Sequence, residues 1–134
     1  MLSDDELLRY SRQILMPRFD IAGQEKLQSA RVLVIGAGGL GCPVALYLGA
    51  AGVGTLALVD DDNIELANLQ RQIGFETSQL GESKAESLAD RMRRINPLVS
   101  VIALNQRLEG EALTRKVAEA TLVVDCTDNF NTRF

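Results

Sequence analysis

An α/β fold built on a mostly parallel, doubly wound sheet, with an N-terminal helical extension, is predicted by three features of this 134-residue chain. First, Val32-Leu33-Val34-Ile35 is a short β-branched run of the kind that forms a strand buried on both faces. It leads into glycines at the spacing G-x-G-x-x-G: Gly36, Gly38 and Gly41, with Gly39 between them. Glycine suits this turn because the backbone must leave the strand sharply and approach a ligand closely, which a Cβ would obstruct. Second, further short apolar runs alternate with stretches of helical periodicity, the pattern of strands joined by crossover helices. Third, the run Thr55 to Val59 ends in Asp60, near where a ribose-binding carboxylate falls after a first βα unit. The class is therefore Rossmann-like. The helix after the glycine loop turns its free N–H groups and positive dipole end toward that loop, which predicts an anion site, most often for a phosphate.

The elements follow in order. Ser3-Asp4-Asp5-Glu6 carries the S-x-x-E capping-box pattern, and its acidic residues suit the first turn of a helix. Leu7, Leu8, Tyr10, Ile14 and Leu15 recur at roughly helical spacing and predict one apolar face. Arg9, Arg12 and Gln13 lie on another part of that surface, where the ordinary fate of such residues is a solvated flank. Pro17 ends this helix, and Ile21 to Leu27 predicts a further short helical turn. Residues 1–28 are thus expected to form a helical arm and residues 29–134 a nucleotide-binding domain. Leu40 to Ala51 reads as a helix with Pro43 in its first turn and Gly52 at its end. Cys42 stands where a helix N-terminus can lower a thiol pKa, but the expected role is a small residue packed on the sheet. Asp60-Asp61-Asp62 lies at the carboxyl end of the second strand, where open α/β sheets bind ligands.

Asn63 to Gln72 is predicted as a polar loop or short helix beyond that edge. Ser78, Gly81, Ser83 and Lys84 lead into a helix packed through Ala85, Leu88, Ala89, Met92 and Ile95, which Asn96-Pro97 stops. Val99, Val101 and Ala103 alternate as a strand. Leu108, Leu113 and Val117 predict a short amphipathic helix, and Leu122-Val123-Val124 another buried strand, ending at Asp125-Cys126-Thr127-Asp128-Asn129. The sequence stops at Arg133-Phe134, a few residues past a strand, and is expected to be the N-terminal portion of a longer protein.

Composition narrows the function. Fourteen basic and eighteen acidic residues give a net charge of −4, which argues against a nucleic-acid surface. No apolar run approaches the roughly 20 residues needed to cross a bilayer, and the acidic start is unlike a signal peptide, so a cytoplasmic location without membrane contact is expected. The two cysteines, Cys42 and Cys126, form neither a C-x-x-C pair nor a disulfide framework. Histidine is absent, which excludes imidazole-dependent chemistry within the chain.

The residues Arg9 to Ile14 (RYSRQI), GAGGLG at 36–41, AGVG at 51–54, Asp60, NLQRQ at 68–72, Lys84, Asn96-Pro97 and DCTDN at 125–129 together resemble the ThiF/MoeB/HesA adenylyltransferases, relatives of the ubiquitin-activating enzymes. The resemblance runs in order from about Leu7 to the last residue. It implies ATP-dependent adenylation of the C-terminal glycine of a small ubiquitin-like sulfur-carrier protein ending in Gly-Gly, in thiamine or molybdopterin synthesis, forming an acyl-adenylate and pyrophosphate.

A carboxylate attacking a polyphosphate meets like charge, so cations must stand where negative charge develops. The resemblance implies Arg71 and Lys84 for this role, Asn68 as a neutral donor, Asp60 on the ribose hydroxyls, and Gly36, Gly38, Gly39 and Gly41 as the loop around the nucleotide. It further implies Mg²⁺ at Asp128 and a homodimer in which Arg12 reaches the partner subunit's site. Asp125 and Cys126 are read as structural, and Asp61 and Asp62 are not assigned. Two C-x-x-C pairs for structural Zn²⁺ and a sulfur-receiving cysteine, usual in the family, have no counterpart here; the resemblance implies that a zinc site is to be expected only in the missing C-terminal part. A nicotinamide-dependent dehydrogenase shares the loop and Asp60 but has no use for Arg71, Lys84 and Asp128 together. A non-catalytic partner of an activating enzyme would be expected to lose part of the charged set.

Overall fold

The computed structural model describes residues 1–127. Three arm helices, α1 (Asp4–Arg9), α2 (Ser11–Ile14) and α3 (Asp20–Ser29), precede β1 (Arg31–Ile35), α4 (Gly41–Ala51) and β2 (Thr55–Val59). Two single 3-10 turns, Leu66–Asn68 and Thr77–Gln79, then lead to α5 (Lys84–Ile95), β3 (Ser100–Leu104), α6 (Gly110–Glu119) and β4 (Leu122–Asp125). The four strands form one all-parallel sheet in the order β3-β2-β1-β4, with Val34 of β1 beside Leu58 on one side and Val124 on the other.

Successive strand side chains point to opposite faces, and both faces are covered. Val32, Val34, Leu56 and Leu58 pack with Ala45, Leu88 and Met92 of α4 and α5. Leu33 and Val59 pack on the other side with Leu108, Leu113 and Ala120, around α6. Each fully buried aliphatic side chain contributes about 1.5–3 kcal/mol relative to leaving it in water. The sheet is therefore doubly wound, as the alternation of runs predicts. Because β2 and β3 lie to one side of β1 and β4 to the other, the connections diverge at the carboxyl ends of β1 and β4, the topological switch point where such sheets bind ligands.

The arm departs from the single apolar face expected of Leu7, Leu8, Tyr10, Ile14 and Leu15. Its first helix is interrupted at Tyr10 (φ −102°, ψ 14°), so α1 and α2 are separate turns and the 100° step per residue is reset between them. Tyr10 is buried, Ile14 is half-buried, and Leu8 and Leu15 stay exposed. The capping box is present as expected: Ser3 Oγ accepts from Glu6 N–H (3.1 Å), and Ser3 N–H donates back to Glu6 Oε1 (2.9 Å). Two further details differ. Ile95 is partly exposed because it closes α5, and Leu108 enters the core from the loop before Gly110 rather than from α6, whose Val117 is exposed.

The arm is tied to the sheet domain by polar contacts that the apolar pattern does not reveal. Fully buried Gln24 donates to Ala51 O (3.1 Å), satisfying a carbonyl at the end of α4. Asn96, equally buried, donates from Nδ2 to Gly49 O (2.8 Å) and to the Tyr10 hydroxyl (2.9 Å), and its Oδ1 accepts from Leu98 N–H (3.1 Å). One carboxamide thus joins the ends of α4 and α5 to the arm. Asn96→Ala is expected to cost about 2–3 kcal/mol, since buried partners lose their hydrogen bonds; urea unfolding measures it, and an unchanged midpoint would contradict this role.

Candidate functional site

At the carboxyl edge of the sheet lies a cleft of about 520 Å³. Its floor is the glycine loop between β1 and α4. Gly36 has φ +100°, and a Cβ there would sit 2.8 Å from Cys126 O at the end of β4. Gly36, Gly38 and Gly39 line the cleft, whereas Gly41 does not: it opens α4, and a Cβ on it would lie only 1.8 Å from Gly36 O. Gly41 therefore lets the loop fold back on the first turn of α4, whose N-terminal N–H groups face that loop.

Asp60 fixes the loop from the β2 side. Its Oδ2 accepts from Ala37 N–H (2.8 Å) and its Oδ1 from Asp62 N–H (2.7 Å), so one half-buried carboxylate clasps the glycine loop and the acidic run together. Burial pushes its carboxyl above the usual range, with the two backbone hydrogen bonds pulling the other way. The folded state then holds this proton more tightly than the unfolded chain. Its contribution to stability consequently falls as pH rises from the ordinary carboxylate range through the raised value.

The opposite wall comes from the 3-10 turn and the start of α5. Asn68 Oδ1 accepts from Glu65 N–H (3.2 Å), leaving Nδ2 as its donor. Arg71 is exposed, donates to Ala67 O (3.4 Å), makes no salt bridge among the described residues, and runs alongside Gly39, where a Cβ would be 3.6 Å from Arg71 Cδ. Lys84, the first residue of α5, is buried; among the described residues its Nζ has only a loose ion pair, 3.9 Å, to the exposed carboxylate of Asp62. Asn68, Arg71, Lys84 and Asp60 to Asp62 all line the one cleft. Arg12 is exposed on α2 and is not among the lining residues, and Asp128 lies outside the described residues.

Several lining residues escape the sequence reading: Gln72, Gln106, Arg107, Leu108 and Thr127. Gln72 stands next to Arg71 in the NLQRQ segment, and Gln106-Arg107 follows the carboxyl end of β3, so the rule that such edges bind ligands would have found both. Arg107 Nε pairs with Glu109 at 2.8 Å. Cys42 is packed, as expected. It is fully buried, donates to Ala37 O (3.5 Å), and burial pushes its thiol up to about 11. Burial also raises Cys126. Neither thiol should react with an aromatic disulfide reagent at pH 8 until the chain is unfolded; rapid labelling of the native protein would show that one is accessible.

A parallel, doubly wound sheet with its cleft at the switch point, floored by a glycine loop and walled by cations, defines a Rossmann-type domain. The chain belongs to the ThiF family, whose model matches residues 10–134. It is 52% identical over 132 residues to the sulfur carrier protein ThiS adenylyltransferase of Escherichia coli K12, covering 98% of this chain and 53% of that protein. It is 49% identical, with the same coverage of each, to the molybdopterin-synthase adenylyltransferase of Salmonella typhimurium LT2. Among solved structures, the Escherichia coli tRNA N6-threonylcarbamoyladenosine dehydratase TcdA in complex with ATP is similar with a TM-score of 0.88 at 26% identity, over 96% of this chain and 53% of its own. The chain spans about half the length of these two curated relatives. Among the described residues, no helix is long and apolar enough to cross a membrane.

Proposed function

We propose that the protein carrying this chain is a cytoplasmic adenylyltransferase that activates the C-terminal glycine of a ubiquitin-like sulfur-carrier protein with ATP, in thiamine or molybdopterin synthesis. The observation that carries this reading is the convergence of Arg71 and Lys84 on a cleft whose floor is the glycine loop and whose far side is Asp60. The relatives' names and the ATP complex of TcdA support it. Residues 1–28 serve as the arm and residues 29–134 as the adenylation domain.

The reaction needs no protein nucleophile. A carboxylate oxygen of the terminal glycine attacks the α-phosphorus of ATP, the bond from that phosphorus to the bridging oxygen breaks, and pyrophosphate leaves with the electron pair. The barrier is electrostatic, because an anion approaches a polyanion and charge accumulates on the leaving group. Arg71, which makes no salt bridge among the described residues, offers guanidinium N–H groups to phosphate oxygens, and Lys84 is a cation held in a low-dielectric wall, where its field is strong. Asp60, fastened by two backbone hydrogen bonds, keeps remaining lone pairs for ribose hydroxyls, and Asn68 Nδ2 donates.

Mg²⁺, when bound, offsets phosphate charge. Hard oxygen donors suit it, and the cleft supplies them. Among the described residues, Asp60, Asp61 and Asp62 bring carboxylate oxygens within 4.8 Å of one another. Asp60 is assigned to the ribose hydroxyls, and Lys84 faces Asp62. The metal is assigned to Asp128, as the family resemblance implies; in the sequence it follows cleft-lining Thr127. Arg12 acts across a homodimer interface. The exposed Leu8, Leu15 and Met16 of the arm, with Tyr47 on α4, support burial against a second copy. Structural Zn²⁺ belongs to a C-terminal part outside this chain. Calorimetric titration of the full-length protein with ATP plus Mg²⁺, and separately with NAD⁺, tests the reading. Metal-dependent ATP binding without an NAD⁺ signal is expected; NAD⁺ binding that needs no metal would overturn it.

A further inference from the structure

Gln72 is a polar side chain whose burial no interaction among the described residues offsets. It is 4% exposed, and its Oε1 has no hydrogen-bond partner among those residues. Its backbone N–H donates to Asn68 O (2.9 Å), which anchors its backbone to the 3-10 turn. The carboxamide lies against the glycine loop: a Cβ on Gly38 would come within 3.4 Å of Nε2, and Gln72 lines the same cleft as Arg71 and Lys84. A buried amide oxygen without a partner bears its full desolvation cost, and such groups persist in folded proteins where a ligand completes them.

The chemistry of the missing partner follows from what the cleft already offers. The phosphates of a nucleotide carry only acceptors, and Arg71 and Lys84 are the donors suited to them. An amide oxygen beside these cations needs an N–H. On a polypeptide tail entering the cleft, the N–H nearest the terminal carboxylate belongs to the last peptide unit. A planar carboxamide presents one acceptor and one donor side by side, in either orientation of the amide, and so matches the N–H and C=O of a peptide.

We propose that Gln72 is a binding residue for the acyl substrate, its carboxamide pairing with the peptide backbone just before the carrier's terminal carboxylate and holding that carboxylate toward the α-phosphate. This rests on the adenylation reading. It assigns one wall residue to the peptide, next to the cations that serve the nucleotide. It also explains why the glycine loop is bare at Gly38, since a side chain there would narrow the space above the amide.

The test is Gln72→Met in the full-length protein, a change of similar shape that removes both polar atoms. ATP–pyrophosphate exchange is measured as a function of the carrier protein ThiS, ATP affinity by calorimetry, and thermal stability by melting temperature. The expected result is a KM for ThiS raised at least about tenfold, an ATP affinity within about twofold of wild type, and a melting temperature unchanged or higher, because an unpaired buried polar group has been removed. A lower melting temperature with an unchanged KM for ThiS would overturn the proposal by showing a structural partner within the protein. Weakened ATP binding with that KM unchanged would overturn it in favour of a phosphate contact. If the wild-type protein itself shows no exchange with ThiS or another Gly-Gly carrier, the adenylation reading fails first and the proposal falls with it.

Discussion

Replacing Lys84 by methionine is expected to lower ATP–pyrophosphate exchange at least about a hundredfold while leaving the fold as stable as before or more so. Lys84 is buried at the start of α5, and the only ion pair it makes among the described residues is 3.9 Å long and reaches a carboxylate that is 71% exposed. A buried ammonium with so little compensation is a net cost to folding, and methionine keeps most of its volume without the charge. The same desolvation makes the cation effective in the reaction, since its interaction with developing charge is weakly screened by water. Stability and exchange should therefore move independently, and denaturant unfolding beside the exchange assay separates them. A large loss of stability with exchange per folded molecule preserved would make Lys84 a structural residue instead.

Gly41→Ala should produce the largest structural effect. Its Cβ would sit 1.8 Å from Gly36 O, a backbone atom that cannot rotate aside, so either the glycine loop or the first turn of α4 must move. The expected cost is on the order of 3–5 kcal/mol, above ordinary overpacking because both clashing groups are main chain. Any molecule that remains folded should also lose ATP affinity, because the displaced segment is the cleft floor. Urea unfolding followed by ATP titration under native conditions checks both parts, and a variant of wild-type stability and affinity would show that the loop accommodates a side chain.

Much of this architecture is legible in the sequence because it rests on local rules. The β-branched runs, the glycine spacing and Gly52 at the end of α4 each satisfy a backbone constraint a few residues long, and the observed strands and helices follow them. The position of Asp60 is legible for the same reason, being set by the length of a βα unit. What stays hidden depends on distant partners. Nothing local says that Tyr10 turns inward to meet Asn96, 86 positions along the chain, and so breaks the arm helix. Gln24 and Gln72 look like surface residues by type, yet one caps the end of α4 and the other lies beneath the glycine loop. Lys84 reads as a helix-start cation. That it is buried becomes visible only once the acidic loop is folded over it.

The most direct test of the central claim is ATP–pyrophosphate exchange by the full-length protein with ThiS as carrier, compared with ThiS lacking its last glycine. The expected result is exchange that requires Mg²⁺ and the complete carrier, and that disappears with the terminal glycine while ATP binding, measured alongside, stays nearly intact. Exchange that persists without the glycine, or ATP binding with no exchange in the presence of any Gly-Gly carrier, would contradict it.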